Sequence, residues 1–271
     1  MRQKDFFRYQ QFTIDQRHAA MKVGTDSDLL GALAGVPEPD ETDATESNTA
    51  PDRTLRILDI GTGTGVLSLM MAQRCPMAQI TAIEIDDNAV IDARTNFQAS
   101  RFAHRITLVH SSLQDYMAHI TQREATALTA EADAASLASY DAVLCNPPYF
   151  DRSLECDDLG RTRARHTSSL PFEVLIDAAY RLLRDGGLFS VCIPPEVLSD
   201  FKTQCLLRGF WLQDDYQVQS IPGKPAKRFV LVHRRGRMIT PRQHHYCMRN
   251  ADRTRSDWYN QLMREFHTIE L

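Results

Sequence analysis

Nowhere in these 271 residues does an apolar run last long enough to cross a bilayer. The opening MRQKDFFRYQQF lacks the apolar core of a secretory leader. No two of the six cysteines (Cys75, Cys145, Cys156, Cys192, Cys205 and Cys247) form a CxxC pair. Scattered in this way, they read as reduced and mostly packed thiols, which disfavours a zinc site and a disulfide framework. There is no internal repeat, which argues against a solenoid or a propeller. The expectation is therefore a cytoplasmic protein needing neither metal nor membrane. With 43% apolar and 24% charged residues the composition is that of a globular chain. Its length suits one large α/β domain with a substantial core and is too short to suggest several.

Acidic excess is also missing where it would matter. The formal charge is −4, but residues 37–52, PEPDETDATESNTAPD, carry six acids and no Lys or Arg. Residues 120–139, rich in alanine, add three acids against one Arg. Setting aside these contributions of −6 and −2 leaves +4 for the remainder. Within that remainder, residues 224–255 hold ten Lys or Arg against one Asp. A basic surface of this kind suits a polyanionic partner, although a solvated tail has the same composition. Residues 37–53 have almost nothing apolar to bury and read as an acidic insertion; 120–139 reads as a second, Ala-rich one.

Around the insertions runs a regular alternation. RILDI (56–60), QITAIEI (79–85), ITLVH (106–110), YDAVLC (140–145) and GLFSVCI (187–193) read as strands. Helical patterns follow the first two, and PFEVLIDAAYRLLRDGG (171–187) is an amphipathic helix with Pro in its first turn and Gly at its end. Such alternation predicts a doubly wound, mostly parallel sheet with helices on both faces, whose ligands sit beyond the carboxyl ends of the strands.

At the first of those ends stands LDIGTGTGVL (58–67). A dinucleotide fingerprint needs G-x-G-x-x-G, and the sixth position is Val66, which disfavours NAD. Asp59 followed by Gly61, Gly63 and Gly65 resembles the S-adenosylmethionine loop of class I methyltransferases, where the backbone lies close against the ligand. On that resemblance the fold is Rossmann-like with seven strands. Asp59 accepts from the ligand's ammonium, Glu84 takes the two ribose hydroxyls with Ile85 beside it, and Ser112 and Leu113 lie near the adenine. Two plainer readings stand beside these: Glu84 capping the next helix, and Asp115 serving the helix start.

At the fourth strand's end, AVLCNPPYFDR (142–152) places an amide, two prolines and a ring. Asn146, Pro147, Pro148 and Tyr149 resemble the motif of methyltransferases acting on planar nitrogen. The Asn146 side-chain oxygen and the Pro147 carbonyl can accept the two N–H bonds of an amine whose lone pair is delocalised. The prolines fix both acceptors by restricting the residue before each. Tyr149 offers a face for a flipped base, worth ~1–3 kcal/mol. Asn146 also borders the cofactor.

Together with FRYQQFTIDQRHAAMKVGTDSDLLGALA (7–34) and RTRARHTSSLPFEVLIDAA (161–179), NPPYF is similar to the bacterial tRNA1(Val) adenine-N6 methyltransferase family. That resemblance implies methylation of the adenine 3′ of the anticodon. It also implies one methyltransferase domain over 1–271 whose segment 1–36 closes over the cofactor through Lys22, Thr25 and Asp26. Thr25 or Asp26 can equally cap the helix that follows. Arg165, His166, Lys224, Lys227 and Arg228 are the expected RNA contacts, although Arg165 and His166 can equally serve to order the active-site loop; a monomer is favoured. The alternatives are a guanine-N2 ribosomal RNA enzyme, a glutamine methyltransferase, and a catalytically inactive RNA-binding module. A glutamine enzyme would bring an N-terminal helical domain, and a DNA adenine enzyme a target-recognition domain, for which the chain has little room.

Overall fold

The computed structural model describes residues 5–37, 54–128, 140–147 and 170–267. Pro148, Tyr149, Arg165 and His166 lie outside the described residues, as do most of the acidic insertion and residues 129–139. A short antiparallel pair, β1 (Phe6–Arg8) and β2 (Thr13–Asp15), precedes the main sheet. That sheet comprises β3 (Arg56–Ile60), β4 (Gln79–Glu84), β5 (Ile106–His110), β6 (Tyr140–Cys145), β7 (Leu183–Ile193), β8 (Phe210–Gln219), β9 (Arg228–Arg235) and β10 (Arg242–Cys247). Their order is β10-β8-β9-β7-β6-β3-β4-β5. Only β9 is antiparallel to its neighbours; the other pairings are parallel. From β3 the chain winds to β4 and β5 on one side, then crosses to β6 on the other. The point of reversal therefore lies between β3 and β6, where doubly wound sheets hold their ligands.

Alternation along β3 sends Ile57 to one face and Leu58 and Ile60 to the other. The first face is covered by helices Thr25–Leu33, Val66–Arg74, Asp87–Ala99 and Asp257–Met263. The second is covered by Leu113–Leu128, Phe172–Leu182 and Leu198–Arg208. Helix Leu113–Leu128 runs into the Ala-rich segment. Among the described residues no helix is long and apolar enough to cross a membrane, and no group of three His, Cys, Asp or Glu is placed to hold a metal.

The structure corrects three expectations. The sheet has eight strands rather than seven, because β10 adds a polar, ring-rich edge that an apolar pattern does not reveal. The helix expected to run to Gly187 ends at Leu182, and Leu183 already pairs with Tyr140. The register then shifts between Tyr140 and Ala142, where Gly186 takes a φ of +75°. The cap of helix Thr25–Leu33 is Gly24, not Thr25 or Asp26. Ser27 serves it instead, its Oγ donating to the Gly24 carbonyl at 2.8 Å.

On the second face His233 is 1% exposed among Phe189, Phe201 and Phe210, and neither ring nitrogen has a hydrogen-bond partner among the described residues. Burial, followed by the Lys202 charge, pushes its pKa down from 6.5 to about 3. A depressed pKa means that the unfolded chain takes up a proton near pH 6.5 that the folded chain refuses until about pH 3. The residue's contribution to stability is thus present above pH 6.5 and is lost as the pH falls toward 3. His233→Leu is expected to gain on the parent protein by about 2 kcal/mol between roughly pH 7 and pH 5. Urea unfolding of both proteins at the two pH values measures this. A difference that does not change with pH would mean the ring is not held neutral.

Candidate active site

Four strand ends come together at the reversal point. The register Ile60↔Cys145 sets Gly61 beside Asn146, and Ile60↔Ile83 sets it beside Glu84. Glu84↔His110 brings up the segment that leads to Ser112. Turn geometry fixes the loop after β3: the amides of Gly61 and Thr62 both donate to the Ile83 carbonyl, at 2.9 and 3.0 Å. Gly61, Gly63 and Gly65 have φ of +70°, +58° and +86°, a region that disfavours any side chain. A Cβ on Gly61 or Gly63 would point into open space. On Gly65 it would strike Phe97 at 2.4 Å, so Gly65 serves packing as well as the turn.

Asp59 lies beneath this loop, wholly buried. Its Oδ2 accepts from the hydroxyls of Thr62 and Ser68 at 2.6 and 2.7 Å. Its Oδ1 is buried with no hydrogen-bond partner among the described residues. Burial raises the Asp59 pKa to about 6, the two hydroxyls pull it down, and the nearby Glu84 charge raises it. The carboxylate therefore organises the loop and retains an acceptor that a cation would satisfy.

Glu84 is 8% exposed, and its carboxylate is held by three backbone amides. Gly63 donates to Oε2 at 2.7 Å; Ile85 and Asp86 donate to Oε1 at 2.8 and 2.9 Å. The cap of the next helix is Asp86, which accepts from Ala89, so Glu84 is not needed for that role. Beside it Ile85 is 63% exposed, an apolar side chain left at the mouth of the site. Ser112 and Asp115 share a helix-start exchange: Ser112 Oγ donates to Asp115 Oδ2 at 2.7 Å and accepts from its amide at 3.0 Å. Leu113 is buried in the first turn. Asn146 is half-buried at the end of β6 and Pro147 is buried.

The N-terminal segment is tied to this site through residues that were not singled out from the sequence. Asn96 accepts from the Asp15 amide at 2.7 Å and donates to the carbonyls of Asp15 and Thr64 at 2.8 and 2.9 Å. One buried amide thereby joins the segment to the glycine loop. Asp92 holds the amides of His18 and Ala19 and the His18 ring. The two lie four residues apart, on one face of helix Asp87–Ala99, and that spacing of polar residues was the available signal. Asp28 accepts from the Tyr9 hydroxyl at 2.5 Å and faces His267 at 3.1 Å, clasping the segment to the C-terminal region. Lys22 donates to the Gln16 carbonyl within the segment itself. Asp26 pairs with Arg228, so two residues assigned to different ligands meet each other. Lys224 and Lys227 are exposed in the connection between β8 and β9.

An open cradle of positive-φ glycines, an orphaned buried acceptor below it and an amide-held carboxylate beside it fit a nucleoside with a cationic amino-acid arm. Residues 44–196 match the family described as the methyltransferase small domain. The chain is 34% identical over 263 residues to the tRNA1(Val) (adenine(37)-N6)-methyltransferase of Shewanella baltica (strain OS185), covering 96% of this chain and 98% of that one. It is 39% identical over 227 residues to the protein of the same name from Phocaeicola vulgatus, covering 84% of this chain and 82% of that one. Among solved structures, a predicted O-methyltransferase from Agrobacterium tumefaciens superposes with a TM-score of 0.58 at 20% identity, over 89% of this chain and 96% of that one. That likeness bears on the fold alone.

Proposed function

The chain belongs to the tRNA1(Val) (adenine(37)-N6)-methyltransferase family, and from that premise we propose how its site works. The enzyme transfers a methyl group from S-adenosylmethionine to N6 of adenine 37, beside the anticodon of a valine tRNA. The observation that carries this reading is the convergence of the glycine loop, Glu84 and Asn146 on adjoining strand ends.

When bound, S-adenosylmethionine supplies an electrophilic methyl on a sulfonium. The residues that hold it are Gly61, Gly63 and Gly65 as the cradle, Asp59 beneath the ammonium, and Glu84 with Ile85 at the ribose and base. Leu113 and Ser112 border the base; Lys22, Thr25 and Asp26 order the segment that closes the site. Asn146 and Pro147 take the acceptor roles. The adenine amine is a weak nucleophile because its lone pair is drawn into the ring. Two acceptors along its N–H bonds favour a pyramidal nitrogen and fix its distance to the methyl, so catalysis is positioning and electrostatics. Pro148 stiffens the turn, and Tyr149 stacks the flipped base.

Lys224 and Lys227 meet phosphate, together with Arg165 and His166; Arg228 contributes with its charge partly met by Asp26. The protein acts as a cytoplasmic monomer in this reading. The test is to supply labelled S-adenosylmethionine and total tRNA from cells lacking the enzyme, then digest and identify the labelled nucleoside. N6-methyladenosine at position 37 of valine tRNA is the expected product. Label appearing only in ribosomal RNA or in protein would overturn the substrate.

A further inference from the structure

The geometry points to the turn Arg249–Arg255, at the outer end of β10, as a preformed clamp for the phosphodiester backbone of the RNA substrate. It rests on the reading of the chain as a tRNA methyltransferase and adds the part of the surface that grips the nucleic acid.

Position comes first. β10 is parallel to β8, and β8 runs parallel to β7 through the antiparallel β9 between them. The C-terminal end of β10 therefore lies at the same end of the sheet as the glycine loop and Asn146. The Met248 amide donates to the Gln219 carbonyl at 3.0 Å, joining the turn's base to the start of the connection that carries Lys224 and Lys227. Arg228, Arg249 and Arg255 are all close enough to Tyr259 to oppose the burial that raises its hydroxyl's pKa. Arg228 at the start of β9 and Arg249 and Arg255 of the turn thus lie around one ring, which makes the turn a neighbour of the end of the β8–β9 connection.

Charge comes next. Arg249, Arg253 and Arg255 are all exposed within seven residues, and none is in an ion pair among the described residues. Six other arginines, Arg17, Arg184, Arg208, Arg228, Arg235 and Arg242, each face an Asp. The turn's own acid, Asp252, is engaged by the amide and hydroxyl of Thr254 at 2.9 and 2.6 Å. Guanidinium forks left without a carboxylate match phosphate oxygens in geometry and charge.

Rigidity is the third feature. Asn250 donates to the Thr254 carbonyl, Arg253 to the Asn250 carbonyl, and Arg249 and Arg255 form a bridge across the turn. Ser256 Oγ ties its base to the Cys247 carbonyl at 2.6 Å. Behind it Tyr246 and Trp258 stack at 4.3 Å with 7° between planes, continuing the Tyr216–His244 stack. Arg253 is the one non-glycine among the described residues with positive φ, at 70°. Glycine or asparagine would fit that backbone with less strain, so the position retains a long cation at a conformational cost.

The full-length chain decides the matter with two variants, each measured for binding to a valine tRNA transcript across a range of KCl. The triple variant R249Q/R253Q/R255Q should weaken tRNA binding at least about tenfold and lower the salt slope by roughly 2. Its S-adenosylmethionine affinity should match the parent's, and the loss of methyl transfer should fall in KM for tRNA. Arg253→Gly keeps the backbone and removes one cation; its thermal midpoint should hold or rise while the slope drops by about 1. An unchanged slope in both variants would overturn the clamp, as would weaker binding without a change in slope, since the arginines would then act through the fold. A parent protein that methylates the transcript while neither variant differs leaves the activity standing and the clamp refuted. A parent that leaves the transcript unmethylated refutes the substrate reading instead.

Discussion

Replacing Asn146 with alanine should slow methyl transfer by roughly two to three orders of magnitude while S-adenosylmethionine continues to bind. Residues before a proline are pushed out of the helical region, so the sequence favours an extended backbone at Asn146 and at Pro147 as the chain leaves β6. With Ile60 opposite Cys145, that extended amide emerges beside Gly61, at the mouth of the cradle. Alanine removes one of two acceptors and leaves the Pro147 carbonyl, so activity should fall steeply without vanishing. Asn146→Asp keeps an acceptor oxygen and should lie between the parent and the alanine variant. The measurement is a single-turnover rate at saturating tRNA, paired with equilibrium cofactor affinity. A rate equal to the parent's would end the acceptor mechanism. A parallel loss of rate and cofactor affinity would show that Asn146 mainly holds the cofactor.

The parts of this site legible in the sequence are those encoded contiguously. A short apolar strand, three glycines at alternate positions and an acid at the next strand's end specify a local turn, and the structure builds it from those residues. What eluded the sequence is made by pairing across the chain. Asp26 and Arg228 stand 202 residues apart, and Asp28 meets His267 across 239. No local pattern announces either pair. Asn96 reads as one polar residue on a helix until the fold brings Asp15 and Thr64 to it. β10 was missed for a different reason: its rings stack on Trp258 and neighbouring side chains at the sheet edge, so it shows no buried apolar face. Gly65 illustrates a partial success, because the backbone requirement was visible and the Phe97 contact was not.

Glu84→Gln should weaken S-adenosylmethionine binding by about two orders of magnitude, roughly 3 kcal/mol. Both carboxylate oxygens already accept from backbone amides, one from Gly63 and the other from Ile85 and Asp86. An ionised carboxylate has about four acceptor sites, so beyond the three amides it keeps room for about one hydroxyl of the ribose diol without breaking the loop contacts. Glutamine replaces one acceptor with an NH2 donor. One orientation of the amide sets its NH2 against the Gly63 N–H and the other against those of Ile85 and Asp86, and either way the remaining bonds lose their charge. Two explanations then compete: lost ribose contacts, or a disordered glycine loop. A double-mutant cycle separates them, using S-adenosylhomocysteine and its analogue without ribose hydroxyls as ligands. If Glu84 holds the diol, removing the hydroxyls should cost the parent protein at least tenfold more affinity than it costs the variant. If the cost is equal in both, Glu84 acts only on the backbone amides of Gly63, Ile85 and Asp86, and the recognition of the ribose belongs to another group.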